Sequence, residues 1–165
     1  MARAGKGVDV PHRVVRGTAD VPARLRDLGK RQLHAVLATA AEGKPYTSLV
    51  ACALAPGGTG VLFATGKRTR KYRNIQANAA VSILIDTRGN SSRDYLSAES
   101  LTIEGTARPL RRGRRREEMA EVFLVKHPAL KAFVADRGTA LVLVEAEQIV
   151  HVGRFQEVTV WKGAG

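Results

Sequence analysis

Only one cysteine, Cys52, occurs among the 165 residues, which excludes an intramolecular disulfide and a cysteine-built zinc cluster. It lies in an otherwise apolar run, where a thiol packs as a small hydrophobe. Aromatic residues are scarce as well, at 5% of the chain, and too scattered to form a stacking surface for single-stranded nucleic acid. No stretch approaches the ~20 consecutive apolar residues of a helical membrane span. The opening MARAGKGVDVPHRVVRG has no continuous apolar segment of the secretory kind. A soluble, cytoplasmic protein with no membrane partner is the expectation. Acidic residues are the last shortage: 15 Asp and Glu face 27 Lys and Arg, a formal charge of +12. That balance favours phosphorylated cofactors, nucleic acid or acidic membrane without choosing among them. What is present, 44% hydrophobic and 25% charged residues with six prolines, is ordinary composition for one globular domain with a core.

Residues 1–20 mix Gly, Pro and basic side chains without a period, which predicts a flexible basic leader or an arm laid over the body. The domain proper is expected over 21–165. Asp20 and Pro22 supply a cap and a first-turn proline for a short helix over 21–32, with Leu25 and Leu28 on its apolar side. Strands are predicted at 33–39 and 45–54, joined by a turn in AEGKP, and then at 61–65. These connections are too short for crossover helices, so the sheet is expected to be mostly antiparallel. A short helix over 69–78, capped by Thr69, precedes a strand with Val81, Ile83 and Ile85 on one face. A polar loop follows at 88–94. The segment SLTIEGTARPL then alternates cleanly between a dry side and a polar side. Met119, Val122 and Phe123 mark a helix over 113–127, Pro128 opens another, and TALVLVEAEQIVHVG and FQEVTVWKG close the chain as strands. Six or seven strands with short helices inserted late suit a closed or partly closed barrel, because closure removes exposed edges.

The densest chemical signal is FATGKRTRKYRNI. A strand runs into Gly66, and Lys67, Arg68, Arg70 and Lys71 gather around Thr69 where a helix begins. First-turn N–H groups, a hydroxyl and several cations together suit a phosphate dianion, and arginine suits a bidentate clamp. The plainer reading is a solvated basic helix face. A second basic group, Arg108, Arg111, Arg112 and Arg114 to Arg116, is followed by Glu117, Glu118 and Glu121, as in ordinary surface pairing. No zinc-finger, RRM or phosphate-loop motif accompanies it, so nucleic acid is not the expected partner. His34, His127 and His151 lie in separate segments without metal-ligand spacing, and structural or solvent-facing roles are expected for them. No metal is expected. Trp161 and Phe63 read as packing residues.

Ala64 and Thr65, followed after three residues by Thr69, Arg70 and Lys71, resemble the flavin-binding split barrels related to pyridoxamine 5'-phosphate oxidase. NIQANAAVSILIDTR and LTIEGTARPL resemble later passages of the same family, so the likeness runs over most of 33–163. It implies a mostly antiparallel β split barrel with short peripheral helices. It also implies that Arg70 and Lys71 hold the phosphate of FMN, that Thr69 adds its hydroxyl and N–H, and that Thr65 lies along the ribityl chain or ring edge. Lys67 and Arg68 belong to the same basic group. Tyr46, Thr47 and Ser48 match a strand lining the isoalloxazine in relatives, and Ser100 stands where the oxidase has a flavin-contacting Gln. The family places FMN in a groove between two protomers, which implies a homodimer.

The C-terminal part departs from the oxidase proper. His151, Arg154 and Trp161 lack the spacing of its Trp and Arg-x-His group, and the ending is closer to the haem-utilisation and general-stress branches. Oxidation of pyridoxamine phosphate is therefore not expected. The implied activity is an FMN-dependent oxidoreductase transferring hydride or electrons to an unidentified small substrate, with no protein general base assigned. A deazaflavin-dependent reductase, a haem-binding protein of the same fold, a non-enzymatic flavin carrier and a basic protein associated with nucleic acid stand as alternatives.

Overall fold

The computed structural model describes residues 13–163, so most of the basic leader lies outside the described residues. Its last part is tied down: β1 (Val15–Arg16) runs parallel to β8 (Glu157–Lys162), and the Gly17 N–H bonds the Val158 carbonyl at 2.7 Å. Helix α1 (Val21–Arg31) starts where Asp20 accepts a hydrogen bond from the Ala23 N–H at 3.0 Å, with Pro22 in the first turn. It buries Val21, Leu25 and Leu28 in the barrel core.

Six antiparallel strands close the barrel in the order β7, β4, β3, β2, β5, β6 and back to β7. They are β2 (His34–Ala41), β3 (Lys44–Leu54), β4 (Gly60–Gly66), β5 (Ala80–Asp86), β6 (Ser100–Pro109) and β7 (Thr139–Gly153). The fold is thus the split barrel with peripheral helices that the sequence implies. Glu42 and Gly43, at φ 52° and 70°, make the two-residue turn between β2 and β3. Positive φ at both positions matches the right-handed twist of a tight hairpin. Alternate residues point inward, so Leu37, Val50, Phe63, Ile83, Ile103 and Val142 fill the interior.

A second apolar layer lies outside the barrel. Leu62, Leu141 and Leu143, on the outer face of β4 and β7, pack with Ala120 and Phe123 of α4 (Arg114–Lys126) and Val134 of α5 (Lys131–Ala135). A 3-10 turn at Pro128–Leu130 links these two helices. Lys126 fastens α4 to the body, its ammonium donating to the carbonyls of Gly29 and Cys52 at 2.7 and 2.8 Å and to that of Gln32. No described helix is long and apolar enough to cross a membrane.

β7 carries the split. Residues 139–145 pair with β4 on one side, and residues 148–153 turn that same side to β8, while β6 follows the strand along its other edge. The register slips where Glu104 pairs Gln148 but Gly105 pairs Ala146, leaving Glu147 as the extra residue. A bulge bends a strand at such a point. Gly105 is required there, since a Cβ would fall on the Glu145 carbonyl.

Several boundaries differ from the sequence expectation. A short helix, α3 (Asp94–Ser97), follows the polar loop, with the Asp94 carboxylate accepting the Gly89 N–H at 2.7 Å. The last strand begins at Glu157 and not at Phe155, because Arg154 and Phe155 take positive φ, 44° and 70°, to make the turn.

Candidate functional site

α2 (Arg70–Ala77) begins four residues beyond the end of β4, and Thr69 is its N-cap, accepting the Tyr72 N–H at 3.4 Å. The same hydroxyl donates to the Gly66 carbonyl at 2.8 Å, and the Thr69 N–H reaches that carbonyl at 3.1 Å. With the Thr69 proton so placed, the 3.0 Å contact between the two threonine hydroxyls makes Thr65 the donor. Both Thr69 donors, expected to face a phosphate, therefore hold the turn in this arrangement. The N–H groups of Arg70 and Lys71 have no protein acceptor among the described residues. These are the donors that the first turn of a helix leaves over.

Arg70 lies over the ring of Tyr46, its guanidinium carbon 4.5 Å from the ring centroid. The cation–π contact holds the guanidinium beside the ring, and no protein acceptor engages its N–H donors among the described residues. Tyr46 and Ser48 are on the inward side of β3, paired with Thr39 and Leu37 of β2. Thr47, between them, is exposed on the opposite face, so its side chain does not share their surroundings. The Ser48 hydroxyl is buried and has no hydrogen-bond partner in the protein. Such an atom is costly unless a water or ligand meets it. Asn74 anchors α2 to the barrel by donating to the Thr39 hydroxyl at 3.0 Å within the buried interior.

The remaining sequence candidates are spread out. Lys67 faces the start of β7: its N–H bonds the Gly138 carbonyl at 2.7 Å and its ammonium the Arg137 carbonyl at 2.9 Å. Arg68 is exposed, and its carbonyl accepts from Arg73 at 2.9 Å. Lys71 is half-buried at the helix start. Ser100 is remote within one chain: Thr65 pairs with Ala140 and Ser100 with Val152, so 12 residues of β7 separate them. That is on the order of 40 Å along a strand. The structure thus groups Thr65, Thr69, Arg70, Lys71, Tyr46 and Ser48, and leaves Thr47 and Ser100 outside that group.

Another cluster escaped the sequence reading. Glu99, just before β6, accepts from the Arg24 guanidinium, with one contact at 2.9 Å, and meets His151 Nε2 at 2.9 Å. Burial would raise the Glu99 pKa, but the hydrogen bonds from His151 and Arg24 outweigh it and hold the carboxyl below its ordinary value. His151 is buried, and its Nδ1 has no partner in the protein. The chain separation of 52 residues between Glu99 and His151 hides this pair from motif spacing. His34 is exposed, whereas His127 is buried with Nε2 2.8 Å from the Cys52 carbonyl. Burial pushes the Cys52 thiol pKa up, the opposite of an activated thiolate. Among the described residues no group of three or more His, Cys, Asp or Glu is arranged to hold a metal ion.

Comparison with solved structures places this geometry among known barrels. A haem-binding protein from Mycobacterium smegmatis superposes with a TM-score of 0.77 at 21% identity, over 90% of this chain and 60% of that one. Campylobacter jejuni ChuZ gives 0.76 at 17% identity over 90% and 62%. An FAD-binding protein from Mesorhizobium loti gives 0.63 at 15% identity over 78% and 91%. This chain therefore spans about three-fifths of the length of the first two. No curated protein matches it in sequence. The sequence profile described as Pyridoxamine 5'-phosphate oxidase matches residues 21–153, and the chain belongs to that family.

Proposed function

We propose that the protein binds FMN and works as a homodimeric oxidoreductase on a small substrate. One observation carries the reading: the Arg70 guanidinium, placed over the Tyr46 ring, lies at the helix start where the Arg70 and Lys71 N–H groups are unengaged. Two cations and two backbone donors at a helix N-terminus are a receptor for a phosphate dianion. The buried Ser48 hydroxyl, two residues along β3 from Tyr46, offers a further polar contact that the protein itself leaves unmet. These residues fit a phosphorylated flavin. Thr65 and Thr69 would keep the turn rigid, so that the phosphate meets donors already in place. The bound flavin would supply the redox chemistry, and the chain would bind, orient and shield it.

Dimerisation rests on two features. Leu49, Val36 and Leu84 stand in one cross-strand row on the outer face of β3, β2 and β5, and Leu49 is 65% exposed. A contiguous apolar row of this kind is suited to a partner surface. The distance of Ser100 from Thr65 means that it could join the same flavin only from a second copy. Haem is the second reading, favoured by the likeness to the M. smegmatis haem-binding barrel. Iron would ask for an axial imidazole, thiolate, thioether or phenolate. The group at the α2 start offers Tyr46 alone, and its ring is already covered by Arg70.

Titration calorimetry with FMN and riboflavin tests the reading. FMN is expected to bind at least tenfold tighter, a difference of about 1.4 kcal/mol or more. Equal affinities would remove the phosphate site.

A further inference from the structure

Beside the α2 start lies a cavity of about 520 Å3 whose wall is strongly cationic. Lys67, Arg111, Arg112, Arg116 and Arg137 line it, against the two carboxylates of Glu117 and Asp136. A neighbouring cavity of about 440 Å3 contains Arg68 and Thr69 and shares Lys67, Asp136 and Thr139 with it. The two spaces therefore adjoin, but the larger one is built mainly from the β6–α4 connection and the α5–β7 connection; α2 contributes Tyr72 to its wall, and neither Arg70 nor Lys71 lines it.

The pairing of the basic residues separates this wall from an ordinary solvated face. Arginines of the same segment that lie outside the cavity have carboxylate partners: Arg108 meets Glu145 at 2.8 Å, and Arg114 meets Glu118 at 2.8 Å. Those inside are arranged differently. Arg116 is held by the Val134 carbonyl at 2.8 Å and Lys67 by the Arg137 carbonyl at 2.9 Å, neutral partners that leave their charge uncompensated. Among the described residues, Arg111, Arg112 and Arg137 have no carboxylate within 4.0 Å. Asp136 accepts the Gly138 N–H at 2.6 Å, so its charge is shared with the backbone. Cations of one sign converging on a concavity repel one another, and an anion placed among them removes that repulsion.

We infer that this cavity binds a second ligand, a small molecule bearing two or more phosphate or carboxylate groups. The volume and concavity suit such a molecule better than a duplex, which lies along an extended basic stripe. The inference concerns a position distinct from the proposed flavin phosphate, and it stands or falls separately from it.

The test uses inorganic pyrophosphate and citrate as probes, titrated by calorimetry into the full chain at fixed salt. Arg111 and Arg112 are exposed and make no hydrogen bond in the described structure, so Arg111→Gln combined with Arg112→Gln removes charge without touching the fold; thermal melting checks this. The double variant is expected to weaken the better probe about tenfold or more and to leave FMN affinity within twofold. Arg70→Ala is expected to do the reverse. Whichever probe binds tighter identifies phosphate or carboxylate as the ligand class. Probe affinity unchanged in the double variant would overturn the inference. Loss of probe binding in Arg70→Ala equal to that in the double variant would do so too, by assigning the anion to the α2 start. Tight duplex binding that pyrophosphate does not displace, yet the double variant abolishes, would give the arginines to nucleic acid and equally refute it.

Discussion

Replacing Arg70 separates a phosphate receptor from a solvated basic helix. In the folded chain the Arg70 guanidinium carbon lies 4.5 Å from the centre of the Tyr46 ring, so the group is positioned before a ligand arrives. Arg70→Ala removes a clamp of two charge-assisted hydrogen bonds, each worth about 1.5–3 kcal/mol alone and less than additive together; the cation–π contact with Tyr46 is made with or without ligand and does not add to the loss. The expected loss for FMN is about 2–4 kcal/mol, roughly 30-fold to several-hundred-fold in Kd. Arg70→Lys keeps the charge but not the planar fork, and about 1–2 kcal/mol should be lost. Tyr46→Leu removes only the platform and should cost FMN less than Arg70→Ala. Riboflavin lacks the phosphate, so its affinity should change less than about twofold in both Arg70 variants, well short of the tenfold that 1.4 kcal/mol represents. Flavin fluorescence quenching gives both affinities, with thermal melting as the check on folding. Full FMN affinity in Arg70→Ala, or equal losses for FMN and riboflavin, would refute the reasoning.

Gly105→Ala should destabilise the barrel by about 1–3 kcal/mol or more, read from urea denaturation, because the new methyl meets the Glu145 carbonyl at the bulge and backbone cannot swing aside as a side chain does. Glu99→Gln should cost about 1–2 kcal/mol near neutral pH, with the exposed Arg24 side of the cluster counting for little. Because the folded Glu99 pKa is depressed, this contribution is present above the unfolded carboxyl pKa and is lost as pH falls through the folded one. Denaturation of wild type and variant across acid pH should therefore converge, and a gap that persists at the lowest pH would show that the charge is not responsible. Leu49→Asp puts a charge at the exposed end of the row it forms with the half-buried Val36 and Leu84; light scattering during size exclusion should then show a monomer where the wild type shows a dimer. A monomeric wild type that binds FMN tightly would reject the shared-groove arrangement.

What the sequence discloses follows from how local the cause is. Thr69 is readable as a cap because its bond to the Tyr72 N–H spans three residues, and the β2–β3 hairpin is readable because Glu42 and Gly43 complete the turn by themselves. The exchange of β4 for β8 along β7 depends on a bulge opposite Gly105, which the alternation of β6 conceals. Thr47 and Ser48 are adjacent in sequence but point to opposite faces, a consequence of the strand's two-residue period. A motif match that names both as ring contacts does not carry that distinction. Thr69 shows the same limit in finer detail: residue type suggests phosphate donors, whereas the fold commits both to the Gly66 carbonyl. Glu99, His151 and Arg24 are brought together only by closure of the barrel and the docking of α1, so no spacing in the sequence could reveal them.

The central claim, a phosphorylated flavin held at the start of α2, is tested most directly by mass spectrometry of the cofactor released from protein purified without added ligand. The account predicts FMN, in an amount approaching one per chain and reduced in Arg70→Ala. Haem or a deazaflavin in place of FMN, or FMN retained equally by Arg70→Ala, would contradict it.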